Sequence, residues 1–355
     1  MKCTTFFLLA SLLVQSAHGS AIDVWALMGQ SNANGVATPP VPPAPLNVQD
    51  NLYIDKQKNP NVAGFLEATT WGTVQTRYPN GFGITYGPEI AFAYEMQQRT
   101  GEKVAIIKTA QGGSGLQQHW LPATNDVYPW ALAKIQSSLA DLVTLGYEPT
   151  LKGVLWVQGE TDATNLAPSN AYSENLATLF DTLRTDLNAP ELPIYLNLLN
   201  GAAKHPYKNI LRAEQAEFIA TYPNALGFDS TGLPLSADME HYAAAGQLGL
   251  GNRFADLVHP WADFNGDHTV DAADLTSWQA SIETQDLAAD GNADGMVDGS
   301  DFLLWQRQTS VVAPAVSVPE PSGALLALCA VGLFIRKLKP ATARLMHKLH
   351  RLGTC

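Results

Sequence analysis

The sequence predicts an α/β protein whose parallel sheet is covered by helices on both faces. Apolar runs rich in β-branched residues predict four strands, at residues 22–27, 104–108, 153–157 and 194–198. Apolar residues at helical spacing predict helices over residues 88–99, 130–145, 171–187, 207–222 and 243–257. Continuous apolar strands that alternate with amphipathic helices are typical of a parallel sheet buried on both sides.

The composition is that of a globular protein with one enzyme-sized domain and small appendages. Of its 355 residues, 46% are hydrophobic and 15% are charged, which argues against wholesale disorder. The formal net charge of −12 argues against a nucleic-acid-binding protein, which would need a basic face. Because Cys3, Cys329 and Cys355 lie towards the chain ends, neither a disulfide nor a thiol serves the body of the protein.

Residues 1–21 carry the pattern of a secretory signal peptide. Lys2 precedes an apolar run and then small residues, with cleavage predicted after Gly19 or Ala21. The run is too short, and its flanks are wrong, for a helix that spans a membrane. We therefore expect an exported protein whose main domain covers residues 22–259.

Three short motifs directly follow predicted strands. Ligands of parallel sheets bind beyond the carboxyl ends of the strands, so catalytic residues are expected there. Residues 29–32 (GQSN) follow the first strand and would expose Ser31 at that edge. Taken alone, Ser-Asn at this place is more often a helix cap.

The second and third strands are followed by residues 108–115 (KTAQGGSG) and 156–162 (WVQGETD). Paired glycines allow backbone N–H groups to approach a ligand closely, as an oxyanion hole requires. Gln158, Glu160 and Asp162 can supply a hydrogen-bond donor and a charge partner for a histidine. The alternatives are a flexible turn for the first segment and a solvated loop for the second.

Residues 238–241 (DMEH) are predicted to open the last helix. At i, i+3 the side chains of Asp238 and His241 would lie on one face of it. The carboxylate can then hold the imidazole Nδ1–H, so that Nε2 accepts a proton from a serine hydroxyl. Two residues at this spacing more often form a capping pair, but four such motifs in one sheet indicate a serine nucleophile.

This set of motifs resembles the SGNH-hydrolase superfamily, in the branch of sialate O-acetylesterases and acetylxylan esterases. It comprises GQSN, GPE at residues 87–89, KTAQGGSGL, WVQGETD, and DMEH followed by AAGQLGLGNRFA, in order over residues 22–258. The resemblance implies a flavodoxin-like three-layer αβα sandwich. It also implies hydrolysis of acyl esters with no cofactor for catalysis.

The resemblance also implies roles for single residues. Ser31 would be the nucleophile and His241 the general base. The backbone N–H groups of Ser31 and Gly113, with the amide of Gln158, would form the oxyanion hole. The third triad member stays open between Asp238, which the DxxH pattern favours, and Glu160 of the QGE block. Four ring side chains near these loops are candidates for stacking on sugars or for ordinary packing: Trp71, Tyr86, His119 and Trp120.

The function that we expect is an exported serine esterase that removes O-acetyl groups from carbohydrate. Its partner would be an acetylated xylan-like polysaccharide or a sialic acid, cleaved through an acetyl-serine intermediate. The alternative is a non-catalytic carbohydrate-binding surface module on the same fold, which the intact Ser31, His241 and Asp238 disfavour. A lipid or aryl ester is a third kind of substrate, disfavoured because the chain has no GxSxG elbow.

Residues 260–310 predict a small all-α module that binds Ca²⁺. A twelve-residue acidic segment recurs at an offset of 27 residues, with oxygen ligands where a calcium loop has them. The expected ligands are Asp263, Asn265, Asp267, Thr269, Asp271 and Asp274, then Asp290, Asn292, Asp294, Met296 (through its carbonyl), Asp298 and Asp301. A solvated acidic linker is the alternative. The duplicated loop resembles a type I dockerin, which implies either a cohesin-like partner or a calcium-rigidified stalk.

Residues 311–339 resemble a PEP-CTERM sorting signal. A proline-rich spacer and the sequence VPEPS precede an apolar run and basic residues. The partner would be the sorting and processing machinery, and residues 340–355 form a basic tail. We expect an extracellular or cell-surface protein, with membrane anchoring through this segment before processing as the alternative.

Overall fold

The computed structural model of the chain describes residues 19–35, 42, 46, 48–55, 71–75 and 86–310, apart from residues 125, 268, 285 and 293. Most of the predicted signal peptide and all of the predicted sorting segment and basic tail lie outside the described residues. The chain divides into two compact units, Met1–Gln308 and Thr309–Cys355. Of the second unit, only residues 309 and 310, at the end of the last helix, are described.

Within the described residues, the centre of the first unit is a seven-stranded sheet. Its strands are β1 (Ser20–Gly29), β2 (Val48–Asp55), β3 (Gly72–Gln75), β4 (Val104–Ala110), β5 (Tyr147–Val157), β6 (Ile194–Leu198) and β7 (Ala225–Asp229). Their order is β3-β2-β4-β1-β5-β6-β7, and only β2 and β3 pair antiparallel. Without β2 and β3, the order is 2-1-3-4-5, which is that of flavodoxin-like sheets. The predicted parallel sheet is confirmed.

Helices cover both faces of this sheet. The main domain contains α1 (Ser31–Asn34), α2 (Glu89–Thr100), α3 (Val127–Thr144), α4 (Leu166–Asn170), α5 (Tyr172–Asp186), α6 (Lys208–Thr221) and α7 (Ala244–Val258). One apolar core joins the sheet to α3, α5 and α6 through residues such as Ile135, Phe180 and Phe218. A second core joins the opposite face to α2 and α7 through Phe92 and Phe254. The five predicted helices are therefore confirmed, with ends shifted by one to three residues.

Three strands were missed by the sequence analysis. β2 has polar residues in its interior, but the amide of buried Asn51 donates to the carbonyl of Ala93 and accepts the N–H of Val104. β3 has only four residues. β7 has five residues, and most of them are partly exposed. Tertiary hydrogen bonds and edge positions, rather than an apolar pattern, define these strands.

The acidic segment forms two loop–helix repeats, with α8 (Ala272–Ser281) after the first loop and α9 (Gly299–Ser310) after the second. The indole of Trp278 donates to the carbonyl of Asp298 at 3.1 Å, and that of Trp305 donates to the carbonyl of Asp271 at 2.6 Å. Each helix is thus tied to the loop of the other repeat. None of the helices in the described part of the chain is long and apolar enough to cross a bilayer.

Candidate active site

Ser31 lies at the carboxyl edge of the sheet, where α1 begins directly after β1. The turn requires glycine at position 29: Gly29 has a φ of 137°, and a Cβ atom there would lie 2.0 Å from the carbonyl oxygen of Val157. Ser31 is 8% exposed, so its hydroxyl is partly shielded from water but not sealed.

The structure joins Ser31, His241 and Asp238 into one hydrogen-bonded chain. The Oγ of Ser31 lies 2.9 Å from Nε2 of His241, and Nδ1 of His241 lies 2.6 Å from Oδ2 of Asp238. These contacts bring together residues 210 and 207 positions apart from Ser31 along the sequence. The geometry lets Nε2 accept the serine proton while Asp238 holds the other ring nitrogen.

Residues 238–241 form a turn before α7, so the prediction that they open this helix is wrong. α7 begins at Ala244. The Oδ1 of Asp238 accepts the backbone N–H groups of Glu240 at 2.9 Å and of His241 at 3.0 Å. Met239 has a φ of 55°, which an α-helix does not allow. The local bonds of Asp238 therefore shape the turn, and the same carboxylate orients the imidazole.

Asp238 is held in its charged form. Burial raises its pKa, but hydrogen bonds from the backbone N–H and the ring of His241, and from the N–H of Glu240, outweigh this effect. The pKa of Asp238 falls from 3.8 to about 2. Asp238 is therefore an anion at neutral pH.

Glu160 is buried beside this chain and contacts Asn32 instead of the histidine. The Nδ2 of Asn32 donates to Oε1 of Glu160 at 2.5 Å and to the carbonyl of Glu240 at 3.1 Å. The Oδ1 of Asn32 accepts the N–H of Tyr242 at 3.0 Å. Asn32 thus holds the backbone on both sides of His241. Burial raises the pKa of Glu160, which is 2% exposed.

Sequence reasoning gave Asn32 no role, although it lies next to the proposed nucleophile in the GQSN motif. Its partners are 128 and 208 positions away in the sequence. Only the fold brings them to one place, so the motif was the sole available signal.

Gly113 lies in the loop after β4 with a φ of 70°, a left-handed conformation that favours glycine. Among the described residues, none accepts the backbone N–H of Gly113 or that of Ser31. Two backbone donors at this edge are therefore available for an oxygen that develops negative charge.

Gln158, the third predicted oxyanion donor, has its amide already in use. Its Nε2 donates to Oδ2 of Asp162 at 2.7 Å, and lies 2.9 Å from Oε1 of Gln30 and 3.2 Å from the carbonyl of Ser114. Its Oε1 accepts the hydroxyl of Tyr172 at 2.5 Å. An amide nitrogen carries only two hydrogens, whereas three acceptors lie within reach of this one. Gln158 can therefore donate to an oxyanion only if one of its present hydrogen bonds breaks.

A buried ion pair lies beneath α1. The Nζ of Lys108 is 2.7 Å from Oε2 of Glu89, and the two side chains are 0% and 2% exposed. Lys108 also donates to the carbonyl of Asn34 at 2.9 Å, and Glu89 accepts the N–H of Gly87 at 3.1 Å. The pair therefore ties β4 and the start of α2 to the end of α1.

Two of the four ring side chains considered for sugar stacking are buried in the core. Tyr86 is 2% and Trp120 is 0% exposed, so neither can present a ring face to a sugar. Trp71 packs against the core that covers one face of the sheet. His119 is partly exposed, and its Nδ1 accepts the N–H of Gly115 at 3.0 Å.

The two acidic loops share a set of internal hydrogen bonds. Asp274 and Asp301, each at position 12 of its loop, are buried and accept backbone N–H groups from positions 2, 3 and 9. Burial raises the pKa of Asp290 to about 6. Carboxylates, amides and carbonyls are the donors that Ca²⁺ prefers. Within the described residues, however, no three acid, His or Cys side chains converge as a metal site requires, so calcium binding stays a prediction.

A serine, a histidine and an aspartate joined in this way at the edge of a parallel sheet are typical of serine hydrolases. Residues 21–259 match the family model described as carbohydrate esterase, sialic acid-specific acetylesterase (SASA). Because the match covers well over half of the chain, this protein belongs to that family of carbohydrate esterases.

Among curated proteins, the chain is similar to the probable carbohydrate esterase At4g34215 of Arabidopsis thaliana. The two are 29% identical over 168 residues, which cover 46% of this chain and 60% of that relative. The match therefore spans somewhat less than two thirds of the relative's length.

Two solved structures support the fold. The structure of the Arabidopsis thaliana protein AT4G34215 has a TM-score of 0.55 and 23% identity, covering 67% of this chain and 98% of its own. The crystal structure of NanS has a TM-score of 0.51 and 13% identity, covering 68% and 97% respectively. At these identities the likeness shows a shared α/β fold.

Proposed function

We propose that this protein is an exported serine esterase that removes O-acetyl groups from carbohydrate. Family membership supports the class of substrate. The observation that carries the mechanism is the hydrogen-bonded chain Ser31–His241–Asp238, with contacts of 2.9 and 2.6 Å. An intact chain of this kind disfavours a non-catalytic carbohydrate-binding module.

The proposed reaction has two steps. Ser31 Oγ attacks the acetyl carbonyl carbon while Nε2 of His241 takes the hydroxyl proton, and that proton then passes to the departing sugar oxygen. Water, deprotonated by the same Nε2, next attacks the acetyl-serine ester and releases acetate. Asp238 stabilises the imidazolium in both steps without accepting its proton.

The oxyanion of each step would bind the backbone N–H groups of Ser31 and Gly113. Donors aimed at this developing charge are each worth about 10²–10³ in kcat. Gln158 would join them by exchanging one of its present acceptors for the oxyanion.

Release of acetate from a panel of substrates tests the proposed function. The panel contains acetylated xylan, acetylated pectin and O-acetylated sialic acid, each assayed with wild-type protein and with a Ser31→Ala blank. We expect Ser31-dependent release from at least one carbohydrate, and the preferred one identifies the polymer. A folded protein that binds these glycans and releases no acetate would instead be the carbohydrate-binding module.

Export and sorting are further parts of the proposal. Ser20 and Ala21 pair with Tyr147 and Glu148 in the sheet. Signal cleavage after Gly19 would leave β1 whole, whereas cleavage after Ala21 would remove these two pairs, so we favour Gly19. Residues 311–339 would then direct sorting to the cell surface.

We also propose that residues 260–310 bind Ca²⁺ and are dispensable for ester hydrolysis, with a cohesin-like protein as a candidate partner. The ten carboxylates between positions 263 and 301 have no cation among them in the sequence and must repel one another without metal. Bound Ca²⁺ would remove this repulsion, so its binding free energy would become folding free energy.

Chelation by EDTA is therefore expected to change tryptophan fluorescence and to expose this segment to protease, while acetate release continues. Trp278 and Trp305 report on it because each indole bonds to the opposite loop. Added Ca²⁺ should restore both signals. If activity falls in step with the loss of structure, the segment supports the active site and the boundary near His259 is wrong.

A further inference from the structure

Asp162 is a buried carboxylate that the reaction above does not use. Its side chain is 2% exposed. Its Oδ2 accepts the backbone N–H of Leu116 at 2.7 Å, and its Oδ1 accepts that of Gln117 at 3.1 Å. Its Oδ2 also accepts Nε2 of Gln158 at 2.7 Å. The three donors belong to the two segments that carry the candidate oxyanion groups.

The first of these segments is the oxyanion loop, residues 111–117, which contains Gly113. The loop leaves β4 at its carboxyl end and is fixed at its start by Ser114, whose Oγ donates to the carbonyl of Gln111 at 2.7 Å. Its far end is held by the two bonds to Asp162. The position of the Gly113 N–H between these anchors therefore depends on both.

The contact between Asp162 and the oxyanion loop leaves no spare room. Gly115 has a φ of −89° and a ψ of 148°, an extended conformation that any residue adopts. A Cβ atom at this position would lie 3.2 Å from Oδ2 of Asp162 and 3.2 Å from Cγ2 of Thr161. Position 115 therefore requires glycine because the carboxylate approaches so closely, and not because of its backbone angles.

The burial of this carboxylate opposes its charge, and hydrogen bonds have to compensate. Burial raises the pKa of Asp162, while the N–H groups of Leu116 and Gln117 and the amide of Gln158 lower it. An apolar residue of similar volume would avoid this desolvation. Three directed bonds to one carboxylate indicate that the geometry they impose is what the site requires.

We propose that Asp162 is a positioning residue for the oxyanion hole: it fixes the oxyanion loop so that the Gly113 N–H stays aimed at the acetyl oxygen, and it holds the Gln158 amide beside that loop. This inference rests on the proposed function, because it assigns a purpose to donors that act in ester hydrolysis. Preorganised donors accelerate a reaction because they need no reorientation as charge develops. Asp162 would supply that preorganisation without touching the substrate.

The test is Asp162→Asn, assayed with 4-nitrophenyl acetate. Asparagine keeps the size of the side chain but turns an N–H₂ group towards N–H donors, so at least one of the three bonds is lost. We expect kcat to fall by about 10²–10³, the value of one oxyanion donor, with KM unchanged because ground-state binding does not use it. The pH midpoint of kcat/KM should stay at the wild-type value, since the histidine and Asp238 are untouched.

A second readout is inactivation of Ser31 by diethyl 4-nitrophenyl phosphate, whose phosphoryl oxygen needs the same donors. The rate constant of this inactivation should fall in the Asp162→Asn protein in proportion to kcat. Asp181→Asn is the control variant, because Asp181 is exposed and its carboxylate bonds only to the hydroxyl of Tyr222 among the described side chains. It should leave both rates at the wild-type level.

A folded Asp162→Asn protein with wild-type kcat, or with a raised KM alone, overturns the inference, and an inactive Ser31→Ala then leaves the proposed function standing. A wild-type protein that hydrolyses no ester overturns both. If Asp162→Asn does not fold, Gly115→Ala decides, since its methyl group displaces the carboxylate by a few tenths of an ångström. We expect a fall in kcat on the order of tenfold at constant KM; an unchanged kcat overturns the inference.

Discussion

Replacement of Ser31 by alanine is expected to lower kcat by about 10⁶, the size of effect seen when the nucleophile of a serine hydrolase is removed. The reason is that no acetyl-enzyme can form without Oγ, while His241 and the backbone donors stay in place. The measurement is hydrolysis of 4-nitrophenyl acetate together with release of acetate from the preferred glycan.

Retention of the fold has to be shown for the same preparation. Ser31 is small and 8% exposed, so the melting temperature and circular dichroism of the Ser31→Ala protein should match those of the wild type. Ser137→Ala is the matched control, because Ser137 is exposed on α3 and its hydroxyl bonds only to the carbonyl of Lys134 within the described chain. Near-wild-type turnover by a clean Ser31→Ala preparation would remove Ser31 from the mechanism.

Asp238→Asn is expected to reduce kcat by about 10⁴, as the equivalent change does in a serine protease, because asparagine favours the wrong imidazole tautomer. The carboxylate lies 2.6 Å from Nδ1 of His241 and also shapes the turn that carries the ring. The loss should appear in kcat and kcat/KM alike, since the interaction acts in the transition state.

Glu160→Gln provides the comparison and should cost distinctly less. The Oε1 of a glutamine at this position can still accept the Nδ2 of Asn32, so the clamp on the residues flanking His241 would survive. Burial already raises the pKa of the Glu160 carboxyl. Replacing this carboxyl by a neutral amide therefore also removes the desolvation penalty of a buried charge. The opposite ranking of the two variants would assign the role of third triad member to Glu160.

The sequence predicted those parts of the fold in which local patterns and tertiary structure agree. The strands that lead to Ser31, to Gly113 and to Gln158 are continuous apolar runs, and each of the three motifs follows one of them. β2 was missed because its interior is polar, and β7 because only Phe228 of its five residues is buried, which leaves no continuous apolar run. In both cases pairing with a neighbouring strand, which no local window contains, defines the element.

The sequence predicted the residues whose motifs are typical of a catalytic role, but not the side chains that only hold those residues in position. Ser31, His241 and Asp238 form the arrangement that the motifs imply, although residues 238–241 form a turn and not the start of a helix. The support by Asn32 and Asp162 depends on long-range contacts across 45 to 210 residues. Such contacts follow from the register of strands, which a single sequence does not contain.

The ion pair of Lys108 and Glu89 beneath α1 limits how this chain can change over generations. Loss of either partner alone would leave an uncompensated charge in the core, at a cost of about 3–5 kcal/mol, whereas a joint apolar replacement is often neutral or stabilising. Two single substitutions in succession can produce the apolar pair only through an intermediate protein that has lost much of its stability. We therefore expect the residues at positions 89 and 108 to be either both kept or both replaced in related proteins. An engineered variant that replaces one of them should replace both at once.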